Sequence, residues 1–413
     1  MAVVKPFICT RPNQSLAHRI AALPYDVYNR QEAKKEIDKE PMSFLKIDRA
    51  ETNFSDDVDT YDARVYEKAR VILQEMIEQG KFVVDEQECY YVYELVMDGR
   101  AQTGIVACAS IEDYLNNVIK KHENTREDKE LDRISHVDIC NAQTGPIFLA
   151  YRSRVEINTL VEETKKEEPL YYFTSTDKIG HHVWRISNQE KIAILKDAFS
   201  KVEDVYIADG HHRSASAVKV GLKRRKENPG YSGNEKFNYF LSVLFPHDQL
   251  MIMPYNRAVK DLNGLSKEQL LDRIKEHFEV VEQGAKAYTP KEKASFGMFL
   301  DGSWYQLKAK EGIRNIEDPV ESLDVSILQN YLLHPILGIE DPRTDKRIDF
   351  IGGIRGLGEL ERRVLGDMCV AFSMYPTSIT ELFEVSDAGK LMPPKSTWFE
   401  PKLRSGLFIH SLS

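Results

Sequence analysis

The sequence predicts an α+β protein built in several lobes. Strand pairs joined by tight turns recur along it, amphipathic helices fall between them without regular alternation, and 413 residues exceed one ordinary core.

From Tyr61 to Gln79, residues Val65, Ala69, Ile72, Leu73 and Met76 fall at helical spacing, and Gly80 supplies a stop. Two strands follow, Tyr90–Val96 and Thr103–Ala109, around Asp98-Gly99, a dipeptide suited to a hairpin turn. Ser110 with Asp113 opens another helix. Pro146–Tyr151 and Val205–Ala208 read as buried strands. The second delivers Asp209-Gly210 at its end, and a helix is expected from Arg213 or Ser214, with Ala215, Ala217 and Val218 allowing close packing. Phe237–Phe245 and Leu250–Met253 form a second hairpin candidate, and Ser266-x-x-Gln269 is a capping box. Phe296–Leu300 and Ser303–Leu307 make a third hairpin about Asp301-Gly302. Boundaries placed near 105 and 260 give an N-terminal α+β lobe (1–105), a central core (106–260) and a C-terminal α+β lobe (261–413).

Composition narrows the function classes. Hydrophobic residues at 42% and charged residues at 29% suit a folded chain with a real core. The five cysteines include no Cys-x-x-Cys pair, which points away from a disulfide framework or zinc finger and towards a reducing, cytoplasmic setting. No apolar run is long enough for a signal peptide or a membrane span. A net charge of −9 argues against nucleic-acid binding, which draws on Lys and Arg to neutralise phosphates. The run Lys223-Arg224-Arg225-Lys226 reads as the solvated end of a helix, where cations suit the dipole.

Ala208-Asp209-Gly210-His211-His212-Arg213 carries the strongest chemical signal, because polar residues and a glycine sit between an apolar strand and a small-residue helix. Gly210 permits a tight turn, the helix start offers N–H groups to an anion, and Arg213 can grip a phosphate with two N–H donors. A histidine there can move a proton near neutral pH, and Asp209 can orient it or hold Mg²⁺. His122-Glu123-x-Thr125 lies in a charged run; if it faces the same cleft, Glu123 is the natural base for a substrate hydroxyl. Pro393-Pro394-Lys395-Ser396-Thr397 joins a rigid turn to a cation and two hydroxyls, and Asp26 sits in the proline turn Leu23–Val27. His181-His182 reads as a strand start without a third metal ligand, and Arg257 as one half of a surface salt bridge. Gly352–Gly358 matches no nucleotide-binding spacing and reads as a turn region, and no phosphate-loop or protein-kinase signature is present.

In order, Leu23–Val27, His122–Thr125, Asn141–Phe148, Ala208–Arg213, Pro254–Arg257 and Met392–Lys402 resemble the landmarks of a ParB-like family of unknown function in bacteria and some anaerobic eukaryotes. That family includes pyrophosphate-dependent serine kinases. The Asp-Gly-x-His-Arg pattern is also similar to that of ParB/sulfiredoxin-fold free-serine kinases. The resemblance implies a ParB/sulfiredoxin-like core that phosphorylates the hydroxyl of free L-serine with Mg²⁺, using pyrophosphate in preference to ADP or ATP. It implies His212 and Glu123 as catalytic residues, Asp209 as Mg²⁺ ligand or histidine support, and His211 and Arg213 on phosphate. Asp26, His122, Thr125, Arg257, Lys395, Ser396 and Thr397 would complete the binding set. Positions 254–257 read Pro-Tyr-Asn-Arg where the family has Pro-Thr-His-Arg, so Arg257 alone carries over there. Two other readings stay open: a phosphoserine phosphatase using water at the same anion site, and a ParB-like nucleic-acid-binding protein.

Overall fold

A computed structural model describes residues 1–125 and 127–413. Residues Met1–Leu250 together with Pro401–Ser413 form one compact unit, and Met251–Glu400 form a second. Position 105 falls inside a central strand of the first unit, and the chain returns to that unit at Pro401.

The first unit is organised by a nine-stranded mixed sheet. Its strands are β1 (Val4–Lys5), β2 (Tyr90–Met97), β3 (Arg100–Ser110), β4 (Ile119–Lys120), β5 (Ile147–Tyr151), β6 (Tyr171–Thr174), β7 (Gly180–Ile186), β8 (Val205–Asp209) and β9 (Tyr239–Pro246). They run in the order β4-β8-β5-β9-β3-β2-β7-β6, with β1 on β3. The expected hairpin is β2 and β3, and Asp98 and Gly99 at its tip both adopt positive φ, as a primed turn requires. His181 and His182 open β7 as the sequence suggests. Because β3, β5 and β9 are flanked on both sides, they are buried throughout or nearly so, and their apolar runs need no alternation. The core on one face holds Ile105, Leu149, Ile207, Phe240 and Leu244, closed by Ile192, Leu195 and Phe199 of a helix at Gln189–Ser200.

Three helices matter for the site: α1 (Ala63–Glu78), α2 (Glu127–Cys140) and α3 (His211–Glu227). In α1, Val65, Ala69, Ile72, Leu73 and Met76 are all buried, the stripe read from the sequence. Helix α3 begins two or three residues earlier than expected. Gly210 is its cap and His211 its first residue, so His211, His212 and Arg213 form its first turn. It packs on α2 through small residues: Ser216 Oγ donates to the Glu130 carbonyl at 3.1 Å. At Gly221 a Cβ would lie 2.6 Å from the Phe237 carbonyl, so only glycine admits that approach. In the basic run at the end of α3, Lys223 and Arg224 both pair with Asp138 of α2.

A smaller sheet pairs Cys9–Pro12 with Phe82–Val84 and with Ile409–Ser411, so the end of the chain is woven back into the first unit.

The second unit carries a six-stranded antiparallel sheet that contains the expected hairpin Ser295–Leu300 and Ser303–Ala309. The capping box at Ser266 is formed in full, with reciprocal bonds to Gln269. The hairpin expected from Phe237–Phe245 and Leu250–Met253 does not form. Strand β9 has both edges occupied by β3 and β5, and Met251–Met253 pairs with Trp398–Glu400 instead. The glycine-rich stretch closes a strand at Gly352, makes one 3₁₀ turn and enters a helix at Leu357. Among the described residues, no helix is long and apolar enough to cross a membrane.

Candidate functional site

Strand β8 ends in a bulge. The register against β5 slips between Ile207 and Asp209, which re-aims the last residue of the strand. Gly210 then takes φ 97°, a left-handed conformation that is costly for any residue with a Cβ. Bulge and glycine together turn the chain sharply into α3 and present Asp209, His211, His212 and Arg213 around a helix N-terminus. The opening N–H groups of a helix lack intrahelical acceptors and carry positive dipole character, which favours an anion in front of them.

Asp209 is bonded by Lys402, Nζ to Oδ2 at 3.0 Å. Burial pulls its carboxyl up, but Lys402 and Arg213 outweigh that and hold it well below the usual carboxylate range. Arg213 donates from Nη1 to the Pro146 carbonyl at 2.6 Å, which fixes its guanidinium beside the turn. A Cβ on Gly210 would stand 3.2 Å from Arg213 Nε, so the glycine also makes room for this arginine.

The segment before α2 runs alongside. His122 and His211 meet edge to face, with ring centroids 4.4 Å apart, and the His122 backbone N–H points at His211 Nε2 at 3.5 Å. Glu123 Oε2 lies 4.0 Å from His211 Nδ1. Burial depresses His122 to about 4 against the pull of Asp209, and burial together with His122 depresses His211 well below its usual value. Both imidazoles are therefore neutral at pH 7. One ligand atom from each of His122, Glu123 and His211 falls within 4.8 Å of the others. Two neutral imidazoles with one carboxylate suit a transition metal better than Mg²⁺, which prefers oxygen throughout. Thr125 donates to Glu130, a buried acid on α2 that also receives Lys219 and is held down in pKa by these partners and by His212. Glu130, Lys219 and Lys402 escaped the sequence reading as individual residues, although Lys402 closes one of its landmarks.

Asp209, His211, His212, Arg213, His122, Glu123 and Thr125 thus belong to one unit, brought together by β8, α3 and the entry to α2. Asp26 also lies in that unit, exposed in a 3₁₀ turn. The remaining candidates sit in the second unit. Arg257 is 4% exposed there and, among the described residues, makes no salt bridge: its guanidinium donates to the carbonyls of Tyr255 and, at 3.0 Å, Lys395. Strand pairing on both sides buries it, which the sequence reading of that position missed. Lys395 adopts φ 59° with its ammonium over the Tyr255 ring, and Ser396 Oγ closes the proline turn on the Pro393 carbonyl at 2.7 Å. Thr397 follows directly in the same loop.

A family model described as a protein of unknown function, DUF1015, matches residues 4–326. The chain belongs to the DUF1015 family. The matched stretch of this DUF1015 protein includes the Asp209–Arg213 turn and His122–Thr125, and it ends before Lys395–Thr397 and Lys402. No curated protein matches the chain. Among solved structures it is similar to a free serine kinase in complex with AMP, at 16% identity over 74% of this chain and 91% of the other, with a TM-score of 0.35. It is also similar to SbnI with a C-terminal truncation from Staphylococcus aureus, at 12% identity, 71% and 82% coverage and a TM-score of 0.38. A conserved hypothetical protein from Pyrococcus furiosus matches at 15% identity, 74% and 94% coverage and a TM-score of 0.35.

Proposed function

We propose that this DUF1015 protein is a small-molecule kinase that transfers a phosphoryl group to the hydroxyl of free L-serine, with pyrophosphate as the favoured donor. The observation that carries the reading is the convergence of His122-Glu123 with Asp209, His211, His212 and Arg213 at one helix N-terminus. An anion site with an acid-base pair beside it is what phosphoryl transfer requires, since positioning and charge stabilisation supply most of the catalysis.

In this reading the N-terminus of α3 and Arg213 hold the phosphates of the donor. Glu123, at the rim with 44% of its side chain exposed, takes the proton from the serine hydroxyl. The hydroxyl oxygen bonds to phosphorus as the bridging P–O bond of the donor breaks, giving O-phosphoserine and inorganic phosphate when the donor is pyrophosphate. His212, half-buried in the first turn of α3 and close to the charge of Glu130, stabilises the transferring group. Asp209, a carboxylate kept ionised by Lys402 and Arg213 and still 32% exposed, would hold Mg²⁺. When bound, Mg²⁺ would offset negative charge on the phosphates. Pyrophosphate is favoured over ADP or ATP because the sequence lacks the familiar nucleotide-binding loops. The reading places the chain among cytoplasmic enzymes of serine metabolism.

Phosphorus NMR of the purified protein with Mg²⁺ and L-serine, run in parallel with pyrophosphate, ADP and ATP, tests it. O-phosphoserine formed from one donor supports the kinase and names that donor. Phosphate released at the same rate without serine, and no phosphoserine, would replace transfer by hydrolysis.

A further inference from the structure

Close to the motif turn, the first unit holds a recess that the mechanism above leaves unused. It is small and opens to solvent, with about 30 Å³ available to the centre of a water-sized molecule, and Tyr25, Asp48, Arg133, Thr144 and Arg213 contribute to its wall. Pro24-Tyr25, Gln143–Gly145 and Arg213 come from three separate sequence landmarks, and the fold gathers them here.

The charges in this wall are buried and unevenly matched. Asp48, Asp132 and Arg133 are 4%, 7% and 8% exposed. Asp132 is fully served: Arg133 donates to one oxygen at 2.9 Å and the Tyr66 hydroxyl to the other at 3.0 Å. The Arg133 guanidinium also lies 4.0 Å from the centre of the Tyr25 ring, a contact that fixes its plane. Asp48 has a poorer set of partners. Thr144 Oγ1 donates to it at 2.9 Å, yet among the described residues no Lys, Arg or His nitrogen lies within ion-pairing distance. Asp48 feels the Arg133 guanidinium only at a distance; a buried carboxylate is costly without a directly bonded cation, and this one borders an open recess. A ligand ammonium is the group that would complete it.

We propose that this recess is the acceptor subsite, with Asp48 receiving the α-ammonium of a free amino acid and Arg133 facing its α-carboxylate, beside the donor phosphates on Arg213. The inference rests on the kinase reading above and deepens it by naming how the acceptor is recognised. The wall carries Asp48, Arg133 and Arg213, and Asp132 behind it is already bonded to Arg133, so a zwitterion enters without leaving a surplus charge. Molecules that keep the hydroxyl but lack one charge, ethanolamine or 3-hydroxypropanoate, would strand either Arg133 or Asp48. The residues of the recess therefore set specificity, while Glu123 and His212 serve the transfer.

The test is equilibrium dialysis of L-serine, ethanolamine and 3-hydroxypropanoate against the full chain, with steady-state kinetics on the same preparations. L-serine alone should bind. In Asp48→Asn, L-serine affinity should fall about tenfold or more, as for a lost charge-assisted contact, and the serine KM should rise equally while the donor KM stays fixed. Thr144→Val, close in shape to the threonine it replaces, removes the hydroxyl that donates to Asp48 and should shift the serine KM and leave the donor KM unchanged; it decides the matter if Asp48→Asn does not fold. Serine binding and KM unchanged in a folded variant overturn the subsite while the kinase stands. Wild-type protein that binds serine in an Asp48-dependent way but transfers no phosphoryl group overturns the kinase while the subsite stands.

Discussion

Gly210→Ala isolates the turn on which the site depends. At φ 97° an alanine adopts a left-handed conformation, which costs roughly 1–2 kcal/mol for a residue with a Cβ. The new methyl would also stand 3.2 to 3.3 Å from Nε, Cζ and Nη2 of Arg213. A small swing of that guanidinium about its bond to the Pro146 carbonyl relieves these contacts, so the penalty to folding stays near the backbone term. A unit of this size loses about 2–4 °C in Tm per kcal/mol, which places the expected drop at roughly 2–8 °C. The larger effect falls on turnover, because the swing withdraws Arg213 from the helix N-terminus, and a misplacement of about 1 Å can cost on the order of 100-fold. Gly210→Asn is the informative partner, since asparagine tolerates positive φ better than alanine: it should recover part of the Tm without recovering turnover. Circular dichroism melts and phosphoserine formation followed by phosphorus NMR read both quantities. Wild-type Tm and wild-type turnover in Gly210→Ala would refute the argument that a left-handed glycine aims the motif.

Glu123→Gln should lower kcat by about 100- to 10,000-fold with the Tm unchanged, as for loss of a general base, and His212→Ala should abolish turnover in a folded protein; full activity in either variant removes that residue from the mechanism. Lys402→Met leaves Asp209 without its bonded cation, so the carboxyl pKa should rise and the first unit should lose roughly 1–3 kcal/mol, read as a lower denaturant midpoint. Acid should destabilise the chain early. His122 and His410 are each held to about 4 by burial, so the unfolded chain takes up their protons first as pH falls below about 6.5. Their stabilisation is complete above that value and is lost between pH 6.5 and 4, at up to about 1.4 kcal/mol per pH unit for each. A Tm that stays flat across that interval would contradict the buried, neutral state of both rings.

Much of this architecture is written locally. The stripe of α1, the Asp98-Gly99 turn and the Ser266 capping box depend on residues a few positions apart, and all three form as read. The motif turn was legible for the same reason, since strand, glycine and helix are contiguous. Its exact geometry was not: the bulge before Asp209 is set by pairing with Phe148, and the helix begins at His211 because Gly210 can cap it in a left-handed conformation. Partners contributed from far along the chain left no local trace. Lys402 reaches Asp209 across 193 residues, and Thr144 reaches Asp48 across 96. Met251–Met253 looked like the return strand of a hairpin because its apolar pattern fits one, but pattern alone does not reveal that the neighbouring edge is taken.

The pairing of Asp209 with Lys402 has a bearing on biosynthesis. The carboxylate is made 193 residues before its cation, which follows only after Met251–Glu400 has been synthesised. A nascent chain therefore carries the complete strand-turn-helix motif long before it carries the charge that balances it. Any stop codon within 251–401 would leave a motif that is correct in sequence yet electrostatically unfinished, together with the edge of Cys9–Pro12 deprived of its partner at Ile409–Ser411. Truncated products should consequently be inactive and prone to association through that open edge, even when every residue of the motif is present.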